Sequence, residues 1–430
     1  MTTILCVSHV CPWPARHGNE LRLQRLLGWM RRRGYRVILV LTASDVDRHR
    51  TELTGRHVDR LELPCQTTLP GRIRRLLARW RAWCASRRSG RHPVGGPHDG
   101  GGMRQLADVL CPADVRRLVR RVTREEPVDI HVAFYAFALP AFGHVERRET
   151  VICDTVEAFS MPRHDPDGSP IAATLSVPRD EERSMLLGCG QILAIQRVEA
   201  EYFAGLVPER PVATVGMDHH VPASAGPPSA APERIGIIGS PNRANVDGLR
   251  LFLAECWPMI ARLAPDGRLW IAGQLGAAIR THLADALPEG VETIGNVEDV
   301  ADFYRQVRVV VNPVHGGTGL KIKSIEALAH GRPVVTFPIG CEGIEPGAER
   351  ALWVCERPDG MATACATLLR DPAACDRMGA AAREFAATAL AADHVYAPLA
   401  RIIDTLTGRR ADAPGPPETS PAGARAVPSA

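Results

Sequence analysis

The sequence is short of several features that would assign it quickly. Its 12 cysteines include no C-x-x-C pair, which speaks against a zinc site or a disulfide framework and favours a reduced, cytoplasmic setting. No run approaches the roughly 18 uninterrupted apolar residues of a membrane-spanning helix. The opening MTTILCVSHVCPWP lacks the basic start and long apolar stretch of a secretory leader. The formal net charge is only +4, too small to point to nucleic acid, and no nucleic-acid partner is expected. What remains is a soluble globular balance of 45% hydrophobic and 23% charged residues on 430 residues. That is long enough for two domains of ordinary size.

A further absence is local. No acidic residue occurs from Leu63 to His98. Within that span Ile73, Leu76, Leu77, Trp80 and Trp83 recur at helical spacing, and Arg72, Arg74, Arg75, Arg79 and Arg81 largely fill the other positions. A basic amphipathic insertion over about 70–105, with tryptophans, suits peripheral contact with an anionic membrane. A helix packed on the protein with its arginines in water fits the same pattern.

Along the rest of the chain, strands and helices alternate. TILCVSHV, YRVILVLT, VDIHVAFY, ETVICDTVE, QILAIQ and RPVATVGM read as short apolar strands. Leu23, Leu26, Leu27 and Met30 mark a helix that Gly34 is placed to end. Residues 222–233, PASAGPPSAAPE, have no periodicity and read as an interdomain linker. The alternation restarts with RIGIIGS, a helix over NVDGLRLFLAECWPMIARL, and strands in GRLWIAGQ, VETIGNV, RVVVNPV and RPVVTFP. Alternation of this kind implies parallel sheets with right-handed crossovers. The expected fold class is α/β: two doubly wound, Rossmann-like domains, residues 1–221 and 234–390, facing across a cleft, with ligands outside the carboxyl ends of the strands. Residues 391–408 read as a helix able to return to the first domain, and 409–430 as a disordered tail.

One stretch carries the chemistry. VHGGTGLKIKSIEALAHGRPVV, residues 314–335, sets Gly316, Gly317 and Gly319 directly before a helix expected to begin near Thr318 or Gly319. Helix N-termini expose unpaired N–H groups and partial positive charge, and glycines let the backbone approach a phosphate. Lys321 and Lys323 add full charges. Glu326, about two turns in, offers a carboxylate suited to sugar hydroxyls. The pattern fits a nucleoside diphosphate with a polyol attached; a glycine turn that only eases the chain into the helix is the alternative. Elsewhere, His131 follows an apolar-acidic run at a strand end. Asp154 and Glu157 end another strand, placed either to orient an acceptor or to cap a turn. His219 and His220 precede the linker and read as hinge residues, with no third metal ligand evident.

NPVHGGTGLKIKSIEALAHGRPVVTFPIGCEGI resembles the donor-site segment of family 4 retaining glycosyltransferases of the GT-B fold. The branch it looks most like carries a Gly-Gly-Thr-x-Leu-Lys loop. GSPNRANVDGLRLFLAECWPMI, IGNVEDVADFYRQVRVVVNP and HGNELRLQRLLGWMRRRGYRV are similar to other parts of that family. The resemblance implies that Glu326 binds the nucleotide ribose, and that the backbone at Gly317, Thr318 and Gly319, after Gly316, holds the diphosphate with Lys321 assisting. It places Gly18 in a loop facing the donor phosphates, with Asn19 where many relatives have a second glycine. It makes Arg243 the available match for the basic residues after the first strand of the second domain, and His131 a candidate for the family's histidine. Many relatives carry a glutamate where this chain has Thr318. The implied activity is metal-independent, retaining transfer of a sugar from a UDP- or GDP-sugar to a glycan, lipid-linked or small-molecule acceptor, without a resident cofactor. A nucleotide-sugar epimerase and a non-catalytic sugar-nucleotide-binding subunit are the rival readings.

Overall fold

Long apolar runs set the two sheets. Ile4–Val7 and Val37–Leu41 are buried without a break, as strands covered on both faces must be. The computed structural model describes residues 1–13, 15, 17–42, 57–64, 103–162, 177–220, 226–282, 287–316, 319–344 and 349–408. The basic segment at 70–91 and residues 409–430 lie outside the described residues.

The first sheet comprises β1 (Thr3–Ser8), β2 (Arg36–Leu41), β3 (Arg60–Glu62), β4 (Ile130–Phe134), β5 (Val151–Asp154), β6 (Gln191–Ala194) and β7 (Val212–Thr214), ordered β3-β2-β1-β4-β5-β6-β7. The second comprises β8 (Arg234–Ile238), β9 (Arg268–Ala272), β10 (Val291–Gly295), β11 (Val309–Asn312), β12 (Val334–Thr336) and β13 (Leu352–Val354), ordered β10-β9-β8-β11-β12-β13. Every recorded pairing is parallel. The order reverses between β1 and β4 in one sheet and between β8 and β11 in the other, and such crevices are where doubly wound sheets bind ligands.

Helices supply the crossovers. In the first lobe these are α1 (Gly18–Arg32), α2 (Met103–Leu110), α3 (Ala113–Glu125), α4 (Arg179–Leu186) and α5 (Arg197–Leu206). The second lobe carries α6 (Arg243–Leu251), α7 (Trp257–Leu263), α8 (Leu275–His282), α9 (Val300–Gln306), α10 (Ile322–Ala329), α11 (Pro358–Arg370) and α12 (Pro372–Ala389). The chain ends in α13 (Ala392–Val395) and α14 (Ala397–Thr407). Tyr396, Leu399 and Ile403 pack in the core of the first lobe, and the Tyr396 hydroxyl donates to Asp218 at 2.8 Å.

The sequence pattern and the structure differ in places. The helix expected over 245–263 is broken by a π turn at Phe252–Cys256, just before Pro258, which has no N–H to give to the preceding turn. Strands β3 and β13, three residues each, are too short for periodicity to reveal. The described part of the 222–233 segment is docked, not loose: Ser229 N donates to Asp376 at 2.9 Å, and buried Arg308 donates to the Ala231 carbonyl at 3.0 Å.

Candidate active site

At the end of β11 the chain turns through Pro313–Gly316 and re-enters the described residues at Gly319. Gly317 and Thr318 lie outside them. Gly319 has φ +72°, a left-handed conformation that no right-handed helix accommodates. The helix therefore starts later than its sequence pattern suggests, at Ile322, with Lys321 at the N-cap. Both lysines flank that start, and Glu326 falls little more than one turn beyond it. Lys321 is 8% exposed, and its Nζ folds back to the Gly319 carbonyl at 2.8 Å. Lys323 reaches Asn245 Oδ1 on α6, tying the loop to the β8 side of the crevice. Loss of solvent, then the neighbouring Lys321 charge, pull the Lys323 pKa down to about 7. These two are the only lysines in the chain; every other cationic side chain besides histidine is arginine.

A buried polar network fixes α10 against the sheet. Asn312 Nδ2 donates to Ser324 Oγ at 2.9 Å and to the Gly340 carbonyl at 3.2 Å. Ser324 Oγ donates to the same carbonyl at 2.8 Å, and Thr336 Oγ1 donates to the Asn312 carbonyl at 2.8 Å. A side chain at Gly340 would stand 1.9 Å from Thr336 Oγ1, so glycine is required there.

Glu326 projects from α10 into a ring of polar groups. The Tyr304 hydroxyl donates to its Oε2 at 3.4 Å, and His219 Nε2 lies 4.0 Å from its Oε1. His330 stacks on Tyr304 at 4.6 Å. Burial, then the nearby Glu326 charge, hold the Tyr304 pKa well above its ordinary value. Burial, then His219, push His330 down to about 4. His219 reads as a hinge residue in the sequence; folding sets it beside the carboxylate from more than a hundred residues away, which no local pattern reveals.

The first lobe closes on the same helix. Gly18 opens α1, and a Cβ built on it would lie 2.3 Å from Ile322 Cδ1, so the lobes meet there. Asn19 Nδ2 donates to the Tyr135 hydroxyl at 3.2 Å. Tyr135 and Val156, just beyond β4 and β5, have φ +68° and +63°. Non-glycine residues in this region cost about 1–3 kcal/mol each and cluster at functional rims. Buried Glu199 on α5 accepts the Gly319 N–H at 3.0 Å.

Other candidates are not brought here. His131 is the second residue of β4, and parallel strands put it at the amino rim, away from the cleft that Tyr135 faces. Its Nδ1 lies 3.2 Å from Thr150 Oγ1, and burial pushes its pKa to about 4. Asp154 forms a buried ion pair with Arg22 at 2.9 Å. Arg22 also donates to the Val215 and Gly216 carbonyls, so the pair clamps α1 to the sheet and neither caps a turn nor meets an acceptor. Arg243 begins α6 on the β8 side of the crevice, but its side chain is 65% exposed and pairs with Asp247 at 3.2 Å. Among the described residues no group of three or more His, Cys, Asp or Glu could hold a metal ion. The Asp-x-Asp sequences Asp45–Asp47 and Asp165–Asp167 lie outside them. No helix among the described residues is long and apolar enough to cross a membrane.

What the arrangement offers is a cationic helix start for an anion, a carboxylate one turn deeper for hydroxyls, and the first lobe closing over both. Comparison with known proteins bears on the fold and on the second lobe. A protein of 44.6 kDa from the cps region of Klebsiella pneumoniae, itself uncharacterised, is 30% identical over 115 residues, which span 25% of this chain and 29% of that protein. TarM superposes with a TM-score of 0.66 at 11% identity, covering 94% of this chain and 99% of that one. Anabaena HepE, solved with UDP and glucose, gives 0.61 at 14% identity, with 94% and 100% covered. Sucrose-phosphate synthase from Thermosynechococcus elongatus gives 0.65 at 13% identity, with 95% and 100% covered. The likeness to these solved structures shows the GT-B fold, and residues 232–371, in the second lobe, match the family described as glycosyl transferases group 1.

Proposed function

We propose that the protein transfers a sugar from a UDP- or GDP-sugar to an acceptor hydroxyl with retention, as family 4 glycosyltransferases do. The observation that carries this reading is the pairing of Lys321 and Lys323 at the start of α10 with Glu326 one turn on, beneath the Gly18 loop of the other lobe. Departure of the nucleoside diphosphate builds negative charge on the leaving oxygens. Preorganised backbone N–H groups and lysine ammonium groups stabilise charge that develops in place. Glu326, oriented by Tyr304 and facing His219, takes the ribose hydroxyls. The acceptor attacks from the face the diphosphate leaves, and the departing phosphate oxygen takes its proton, so no protein base is needed. The lysines neutralise the diphosphate charge that a metal ion would otherwise neutralise, and no resident cofactor is called for. The acceptor is a glycan, a lipid-linked saccharide or a small molecule. HepE with UDP and glucose, and TarM from S. aureus with UDP and α-GlcNAc-glycerol, support a nucleotide sugar and a hydroxyl acceptor.

The test is a panel of UDP-, GDP- and dTDP-sugars by thermal shift, then turnover with and without acceptors, with and without EDTA. Slow nucleotide release with donor alone, faster with acceptor and indifferent to EDTA, is the expected result. An epimerised sugar nucleotide, or no turnover with any donor, would overturn it.

A further inference from the structure

The amino rim of the first sheet holds a cavity of about 510 Å³ that sugar transfer does not use. Arg120 and Arg124, one turn apart on α3, line one side; His144 faces them, and His131 lies at the base of β4. His144 Nε2 sits 2.9 Å from Thr123 Oγ1, which fixes the ring against the helix. No carboxylate lines the cavity.

Of the arginines on α3, Arg116 and Arg121 have carboxylate partners among the described residues, while Arg117, Arg120 and Arg124 have none. Arg121 pairs with Glu62 and Glu125, and Arg116 with Asp108. Arg120 and Arg124 pair with no carboxylate among the described residues. Like charges one helical turn apart repel, so two unneutralised guanidinium groups there carry a cost that a bound dianion would remove. Arg148 adds positive charge from the turn before β5, its guanidinium donating to the Phe142 and Gly143 carbonyls. Burial lowers the His144 pKa, and Arg120, Arg124 and Arg148 lower it further, as a positive field would. Guanidinium groups recognise phosphate through paired N–H donors.

We propose that this cavity binds a phosphomonoester group, on the opposite rim of the first sheet from the α10 site. Its source is either a soluble phosphorylated metabolite or a phosphomonoester lipid headgroup.

The test is calorimetric titration of the full chain with glycerol 3-phosphate and with glycerol, beside flotation with phosphatidylcholine vesicles with and without phosphatidic acid. The exposed pair Arg120→Glu/Arg124→Glu is the variant, and UDP binding and melting temperature check that it stays folded. Expected are binding of the ester but not of glycerol, at least tenfold weakening in the variant, and unchanged UDP affinity. Variant-sensitive flotation on phosphatidic acid alongside ester binding identifies the headgroup as the source; ester binding without it identifies the soluble one. Equal ester affinity in the two proteins, or no binding of either probe to the unaltered chain, would overturn the proposal.

Discussion

Gly319 donates its backbone N–H to the carboxylate of Glu199 at 3.0 Å, and the two residues belong to different lobes. A buried carboxylate therefore occupies an amide that, on the proposed reading, a bound pyrophosphate would claim. An ionised carboxylate and a pyrophosphate a few ångströms apart repel by about 1–4 kcal/mol at protein-surface dielectrics. Glu199→Gln keeps an acceptor and removes the charge. UDP affinity is expected to rise by roughly tenfold, read by calorimetry. Equal or weaker binding would mean that carboxylate and phosphate do not share the amide.

Glu326→Ala removes the carboxylate that Tyr304 orients. Donor KM should rise and turnover should fall, each by about tenfold or more. Kinetics like those of the unaltered protein would take Glu326 out of the site. Lys321→Ala should act mainly on turnover, by about 10²-fold, the usual scale for one charge-stabilising donor.

Lys323 gives the site a pH signature. Its pKa falls from the ordinary 10.5 to about 7, so the unfolded chain binds more protons between those values. This residue makes stability rise with pH across that window. Pyrophosphate favours the ammonium form, so UDP affinity should run the other way, strongest below pH 7 and weakening toward pH 9. Of the two lysines in the chain, Lys323 should be the one an amine-reactive reagent labels at neutral pH, beside the α-amino group, and UDP should protect it. Peptide mass spectrometry reads both. Protection absent at saturating UDP would separate Lys323 from the phosphate.

The Arg22–Asp154 pair gives a stability prediction apart from catalysis. Both side chains are buried. Asp154→Ala strands a buried guanidinium, and losing one partner of a buried pair costs about 3–5 kcal/mol. Chemical denaturation should show that loss. A midpoint within experimental error of the parent would mean that the carbonyls of Val215 and Gly216 satisfy Arg22 alone.

The fold class was legible because it rests on long local patterns. Val37–Leu41 and Val309–Val311 are apolar runs that few structures besides buried parallel strands accommodate, and the restart at Arg234 announces a second sheet. The candidate site was legible where it is contiguous: β11, the loop after it and α10 form one strand–loop–helix unit. What escaped was assembled across distance or polarity. His219 and Glu199 meet the α10 loop only through the tertiary fold. His131 lies at the amino rim of β4, and a five-residue strand does not reveal which of its rims carries a given residue until neighbouring strands fix direction. The late helix start followed from the φ of Gly319, a backbone property that composition does not encode.

The chain passes between the lobes twice, outward past His219 and back past Leu390, and the His219 N–H bonds the Leu390 carbonyl at 2.9 Å. The two crossings are thus side by side, next to the ring of groups around Glu326. On the proposed reading Glu326, 4.0 Å from His219, would hold a ribose beside these crossings, one helical turn from the seam where Gly18 meets Ile322.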